Sequence, residues 1–165
     1  MPIQISSNRV MASQGYGYGS ELIQVSRTNG NWLAERVWKS NRLKSKFANL
    51  ILHQGLVYGL DDGKLVCFDP QAGQRKWQGD RHGHGQMLLI GDVILLMAEN
   101  GEVLLIEPSP TEEKIVAQFR AFRGKTWNPP ALAGEYLLVR NDAEAACYKL
   151  PLASQRTVVN DGRKL

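Results

Sequence analysis

An all-β fold assembled from small repeated sheets is what this sequence predicts, and three observations carry it. No segment keeps helical i, i+3, i+4 spacing of apolar residues over ten positions; the apolar residues alternate or cluster in runs of strand length instead. Tight-turn pairs such as Asn29-Gly30, Asp62-Gly63 and Asn100-Gly101 separate those runs at hairpin distance. And one stretch, Leu56 to Trp77 (LVYGLDDGKLVCFDPQAGQRKW), is echoed before and after itself.

The elements follow in order. Asn8 to Gln14 reads as a strand, and the glycine-rich loop GYGYGS (Gly15 to Ser20) joins it to Glu21 to Arg27. After the turn Thr28 to Asn31 comes a third strand, Trp32 to Trp38, then the basic connection KSNRLKSK (Lys39 to Lys46). Phe47 to Leu52 is read as the next strand, turning at His53-Gln54-Gly55 into three short strands between Leu56 and Trp77. QGDRHGHG then leads to strands at Gln86 to Ile90, Val93 to Ala98, Glu102 to Glu107 and Lys114 to Phe119. FRGKTWNPP connects to Ala131 to Ala133, Tyr136 to Arg140 and Glu144 to Leu150.

The repeat has a measurable period. The turn glycines Gly55, Gly91 and Gly134 are 36 and 43 residues apart, and the closing aromatics Trp38, Trp77 and Phe119 are 39 and 42 apart. About 40 residues and four short strands per unit is the signature of β-propeller blades, which bury their faces only by stacking on one another. The expected division is a partial blade at 8–38, blades at 47–77 and 84–119, a partial blade at 128–150, and a polar tail at 151–165. The first blade is expected to lack its innermost strand and the last its outermost. Since closure takes four to eight blades, these blades are expected to belong to a larger ring, completed in cis or by oligomerisation. A strand around Thr157 to Val159 closing a four-bladed ring is the alternative.

Composition narrows the function classes. The apolar runs Met87 to Ile90 and Val93 to Ala98 fall far short of the roughly 20 residues a membrane helix needs. No basic-then-apolar leader is visible in MPIQISSNRV, and the sequence leaves the compartment unassigned. Cys67 and Cys147 occupy equivalent strand positions without CxxC spacing, so both are expected to be buried free thiols. The net charge of +4 is too mild to argue for nucleic acid, and no aromatics interleave with it along a groove.

The charge is unevenly placed. Connections between blades share one face of a propeller with the middle hairpins. The three crossovers hold Lys39, Arg42, Lys44, Lys46, Arg81, Arg120, Arg123, Lys125, His82 and His84 against the single acid Asp80. The loops expected on the other face carry Asp69, Glu107, Glu112 and Glu113. A basic crossover face would attract an anionic ligand or an acidic partner surface. Aligning the turn glycines puts Lys46, His82 and Lys125 in one column, and Ala48, His84 and Trp127 two places on. Candidate binding residues are therefore Lys46, Arg81, His82, His84, Arg123, Lys125, Trp127 and Asn128, with Trp127 and Asn128 also suited to satisfying backbone groups of a neighbouring blade. No catalytic residue and no metal ligand set is assigned: His82-Gly83-His84 has no carboxylate or Cys partner in sequence, GYGYGS lacks the Lys-Ser/Thr of a phosphate loop, and Asp61-Asp62-Gly63 is turn chemistry.

CFDPQAGQRKWQ preceded by VYGLDDGKL resembles the pyrrolo-quinoline-quinone-type (PQQ-like) propeller repeat, a strand ending in Asp, a Thr-Gly-Lys turn and then Trp. Asp69, Gly73 and Trp77 match; Ala72 and Gln74 replace the Thr and Lys. RHGHGQMLL, FRGKTWNPPALAGEYLLVRN and ACYKL are similar to bacterial repeat proteins grouped with the outer-membrane assembly lipoprotein of this fold, and the resemblance spans about residues 8–150. It implies the propeller fold and a periplasmic or secreted setting. Such propellers include quinoprotein dehydrogenases, which hold PQQ with an adjacent Cys-Cys pair, a tryptophan floor and a Ca²⁺ site of Glu, Asn and Asp, and also cofactor-free scaffolds. The chain has no Cys-Cys. The expected function is thus a non-enzymatic, cofactor-free scaffold that binds a protein, peptide or anionic ligand through its basic face. The alternative is a partial or degenerate PQQ- and Ca²⁺-dependent dehydrogenase.

Overall fold

The computed structural model describes residues 2–151, and they form four antiparallel sheets with no helix. The first sheet is β1 (Pro2–Ser6), β2 (Arg9–Gln14), β3 (Gly19–Thr28) and β4 (Asn31–Ser40), in that order. The second is β5 (Ile51–His53), β6 (Leu56–Asp61), β7 (Lys64–Asp69) and β8 (Gln74–Arg81). The third is β9 (Gln86–Ile90), β10 (Val93–Met97), β11 (Glu102–Ile106) and β12 (Ile115–Arg120); the fourth is β13 (Ala131–Ala133), β14 (Tyr136–Arg140) and β15 (Ala145–Lys149). Each is an up-and-down meander, the blade of a propeller.

Two expectations change at the ends. The first blade has its innermost strand: β1 pairs with β2 through Ile3↔Met11 and Gln4↔Val10. PIQIS is short, begins with Pro and offers only Ile3 and Ile5 to the core, so its alternation is too brief to read. The strand expected at Phe47 to Leu52 begins only at Ile51, which leaves Phe47 in the crossover. The fourth blade has three strands among the described residues; the tail beyond Pro151, with the expected strand around Thr157 to Val159, lies outside them.

Three apolar cores hold the four blades together. Met11 and Leu22 of the first blade pack with Val57, Val66 and Phe68 of the second. Tyr58, Leu60, Leu65 and Cys67 pack with Ile94, Leu96, Leu104 and Ile106 of the third. Leu95, Met97 and Val103 pack with Leu137 and Val139 of the fourth. Alternate residues of each inner strand thus serve opposite neighbours, which is why the middle strands read as continuous apolar runs. At about 1.5–3 kcal/mol per fully buried large apolar side chain, these interfaces are what makes sheets of this size stable. No core cluster joins the fourth blade to the first among the described residues.

Polar latches complete each boundary. The Trp38 indole donates to the Pro70 carbonyl at 3.0 Å, and the Trp77 indole to the Ser109 carbonyl at 2.8 Å. In both cases the outer-hairpin loop of the later blade reaches back onto the earlier one. Asn49 grips the Met87 backbone twice, donating to its carbonyl and accepting from its N–H at 2.8 Å each. This is the role expected of Asn128, carried by a different asparagine.

The two thiols differ. Cys67 is buried as expected, but Cys147 is exposed. Its pair partner is Leu138, in the register in which Cys67 pairs with Tyr58, but no following blade covers it among the described residues.

Candidate functional site

Strand register decides which crossover residues meet. In the inner hairpins of the second, third and fourth blades the pairs flanking the turn are His53↔Leu56, Ile90↔Val93 and Ala133↔Tyr136. Gly55 is therefore the second residue of its two-residue turn, whereas Gly91 and Gly134 are the first of theirs. Both turn positions take φ > 0 in a type I′ hairpin, and Gln54 occupies the first at φ 48°, so glycine was free to move by one place. The glycine alignment accordingly slips by one residue in the second blade. The corrected column is Phe47, His84 and Trp127, not Ala48, His84 and Trp127; likewise Ser45, not Lys46, stands with His82 and Lys125.

The contacts follow the corrected column. Phe47 lies 5.4 Å from the Trp127 ring and 6.0 Å, edge to face, from His84. Phe47 and Trp127 nonetheless remain 45% and 41% exposed. Cations flank them: Lys125 Nζ sits 4.5 Å over the Trp127 ring, and Lys46 Nζ 5.3 Å over Tyr16. The GYGYGS loop thus joins this face, with Tyr18 under Lys39 at 4.0 Å. Such cation–aromatic contacts contribute about 0.5–1 kcal/mol at exposed sites.

Glu99, from the β10–β11 turn, fixes the arrangement. One carboxylate oxygen accepts from the His84 N–H at 2.9 Å and the other from the Trp127 indole at 3.0 Å, tying two crossovers to one side chain. The His84 N–H first, then the Trp127 indole, hold the Glu99 carboxyl below the ordinary glutamate range against the opposing effect of burial. Neither Phe47 nor Glu99 was a sequence candidate. The signal for Phe47 was its spacing from the strand pairs rather than from the glycine; for Glu99 the middle-hairpin acids on this same face were the missing count.

The other candidates are spread over the face. His82 turns away from His84: its Nε2 meets Glu113 at 2.6 Å, and both side chains are nearly buried. Glu113 is thereby corrected from the opposite face to the crossover side, where it also accepts from the Asp80 N–H at 2.6 Å. Arg81 and Lys125 line a depression of about 420 Å³ with His82 and Glu99. Arg123 lies beside Glu144 in a second, and Asn128 beside Lys125, Trp127 and Asp142 in a third. The crossover cations are partly answered: Lys44 meets Asp62 at 2.9 Å and Asp61 at 3.4 Å, and Lys46 meets Asp62 at 3.9 Å. The Lys44 ammonium holds the Asp62 carboxyl below its ordinary range. No group of three or more His, Cys, Asp or Glu able to hold a metal occurs among the described residues.

No family model and no curated protein matches the chain. Solved structures do. The computationally designed Ika8 protein superposes with a TM-score of 0.60 at 10% identity, over 90% of this chain and 45% of that one. The computationally designed Ika4 protein gives 0.60 at 10% identity, over 88% of this chain and 87% of that one. BamB from Moraxella catarrhalis gives 0.53 at 17% identity, over 86% of this chain and 39% of that one. The chain therefore spans less than half the length of Ika8 and of BamB. At these identities the likeness shows the fold alone: an all-β arrangement of β-propeller blades.

Proposed function

We propose that the protein is a non-enzymatic propeller scaffold whose crossover face binds a protein or peptide bearing acidic side chains beside an aromatic or proline residue. The observation that carries this reading is the Phe47–Trp127 pair, half exposed and in tilted contact at 5.4 Å with Lys125 against it. Rigid, partly exposed aromatics bring large contact area at little entropic cost, and Trp and Tyr are the side chains most often found at the energetic centre of interfaces. Lys46, Arg81 and Arg123, spread over the same face, favour an acidic partner and speed its approach.

The reading uses no cofactor. Cys67 lies in the core between the second and third blades and Cys147 on the fourth, so the thiols present do not fit the vicinal pair by which quinoproteins of the resembling family hold PQQ. Titrating a Glu-rich peptide containing Trp and Pro, followed by anisotropy, tests the proposal. Lys125→Glu and Trp127→Ala should each weaken binding at least tenfold, and rising salt should weaken it further. Equal affinity for a Lys-rich control peptide, or indifference to both substitutions, would sink it. Dye-linked turnover of an alcohol with added PQQ and Ca²⁺ would favour the oxidoreductase alternative instead.

A further inference from the structure

We propose that the open faces of the first and fourth blades are the two halves of one blade–blade interface, and that a second copy of this chain joins them head to tail into a two-copy ring. The internal boundaries define what such an interface contains. Each pairs an apolar forward face of one blade with the backward face of the next, and at the first two the outer hairpin of the later blade folds back onto the earlier one.

The fourth blade carries a forward face that no core cluster covers among the described residues. Leu138 pairs with Ala131 and Cys147, in the register in which Tyr58 pairs with Ile51 and Cys67. Tyr58 is 2% exposed and Leu138 52% exposed. With Ala131, Tyr136 and Cys147, Leu138 lines an apolar depression of about 270 Å³. The same positions are core where a blade follows and surface where none follows among the described residues.

The first blade carries the matching backward face. Its forward residues Met11 and Leu22 are buried against the second blade. The alternate positions Val10, Ile23 and Val25 face the other way, and register places Trp32, opposite Arg27, on that side too. The β3–β4 hairpin is the longest of the chain, ten residues per strand, and Trp32 near its tip is 71% exposed. Outer hairpins here reach back onto a preceding blade, and this one has no preceding blade among the described residues. Arg140 on the forward face and Glu21 on the backward face both stand at the crossover end of their sheets, so a head-to-tail contact brings Arg140 to a carboxylate that already meets Arg36 of its own blade at 3.7 Å. The apolar register, not charge, carries the pairing.

Four sheets per chain give eight in two copies, within the four to eight blades at which propellers close, and a heterologous contact that closes its rotation forms a ring rather than a fibre. Light scattering coupled to size exclusion should give about 37 kDa, twice the 18.4 kDa of one chain. Leu138→Lys and Ile23→Glu should each give the single-chain mass with the wild-type circular dichroism spectrum. Mixing the two variants should restore the two-copy mass, because one interface is then intact and the other sets Lys against Glu; unfolded variants could not do this. A wild-type mass of one chain at tens of micromolar overturns the proposal. So does a dimer that Leu138→Lys abolishes and Ile23→Glu leaves intact, which would mean two forward faces pairing, and so does an open polymer.

Discussion

Glu113 meets His82 at 2.6 Å although the two residues belong to different blades. The loop that brings Glu113 there leaves the third blade after Glu107 and lies along the second, where the Ser109 carbonyl accepts from both Tyr58 and Trp77. The strap therefore pins the His82 crossover from outside while the apolar core pins it from within. A carboxylate that looks like a solvated loop charge in the sequence is a structural anchor of the candidate binding face.

Acid should loosen that anchor. Burial pushes the Glu113 carboxyl up, but the His82 ring and the Asp80 N–H outweigh it and hold the group below the ordinary glutamate value of 4.5. A depressed carboxyl contributes stability that is present above about pH 4.5 and lost as pH falls through the lower folded value. Glu113→Gln should cost about 1–3 kcal/mol at pH 7, the usual cost of leaving buried partners unpaired. Melting curves from pH 7 to pH 3 should show the gap between wild type and variant closing below about pH 4.5. A gap that is constant across that range would show that the carboxylate charge contributes nothing.

Trp38→Phe and Trp77→Phe test the repeated latch. Each removes one indole donor across a blade boundary while keeping most of the aromatic packing. Trp38→Phe leaves the Pro70 carbonyl without that partner and should cost about 1 kcal/mol. Trp77→Phe should cost less, since the Ser109 carbonyl keeps the Tyr58 hydroxyl at 3.2 Å. The two sites sit at different boundaries, so denaturant unfolding of the double variant should give the sum. A double variant no worse than Trp38→Phe would refute independent latches.

How much of this was legible beforehand follows from which physics the chain spells out locally. Strands and blades were legible because burial on both faces imposes long apolar runs and the hairpins impose glycine. The site was only half legible. His84, Lys125 and Trp127 were found, but Phe47 was displaced by one place because Gln54 takes the left-handed turn position that Gly91 and Gly134 fill elsewhere. Glu99 and Glu113 were missed because their partners, His84, Trp127 and His82, lie in other repeats. Nothing in the spacing of one loop reports the path of another.

Gly59 should prove a packing glycine rather than a flexible one. Its φ is not in the left-handed region, yet a Cβ there would lie 2.7 Å from the side chains of both Leu43 and Leu50, which fold the first crossover down onto β6. Gly59→Ala should cost about 1–3 kcal/mol through overpacking. Leu43→Ala in the same chain should recover part of that loss by opening space, a non-additivity that paired denaturant titrations would detect. Simple additivity of the two losses would show that the clash is relieved elsewhere.

Glu99 should be the residue on which the candidate site's shape depends. Glu99→Ala leaves the His84 N–H and the Trp127 indole without their acceptor, and should free the Trp127 ring from Phe47. The expected result is a red-shifted, more quenchable Trp127 emission in a background where Trp32, Trp38 and Trp77 are replaced by Phe, with at least a tenfold loss of acidic-peptide binding. Glu99→Gln retains an acceptor oxygen for one of the two donors and should fall between. Because its two donors hold the Glu99 carboxyl below the ordinary glutamate value of 4.5, the wild-type emission should stay constant from pH 7 down to about pH 4.5 and shift only below it. An emission change centred at or above pH 5 would mean that the carboxylate does not hold these two donors. Peptide affinity unchanged in Glu99→Ala, with the emission shifted, would place the binding surface away from the Phe47–Trp127 pair.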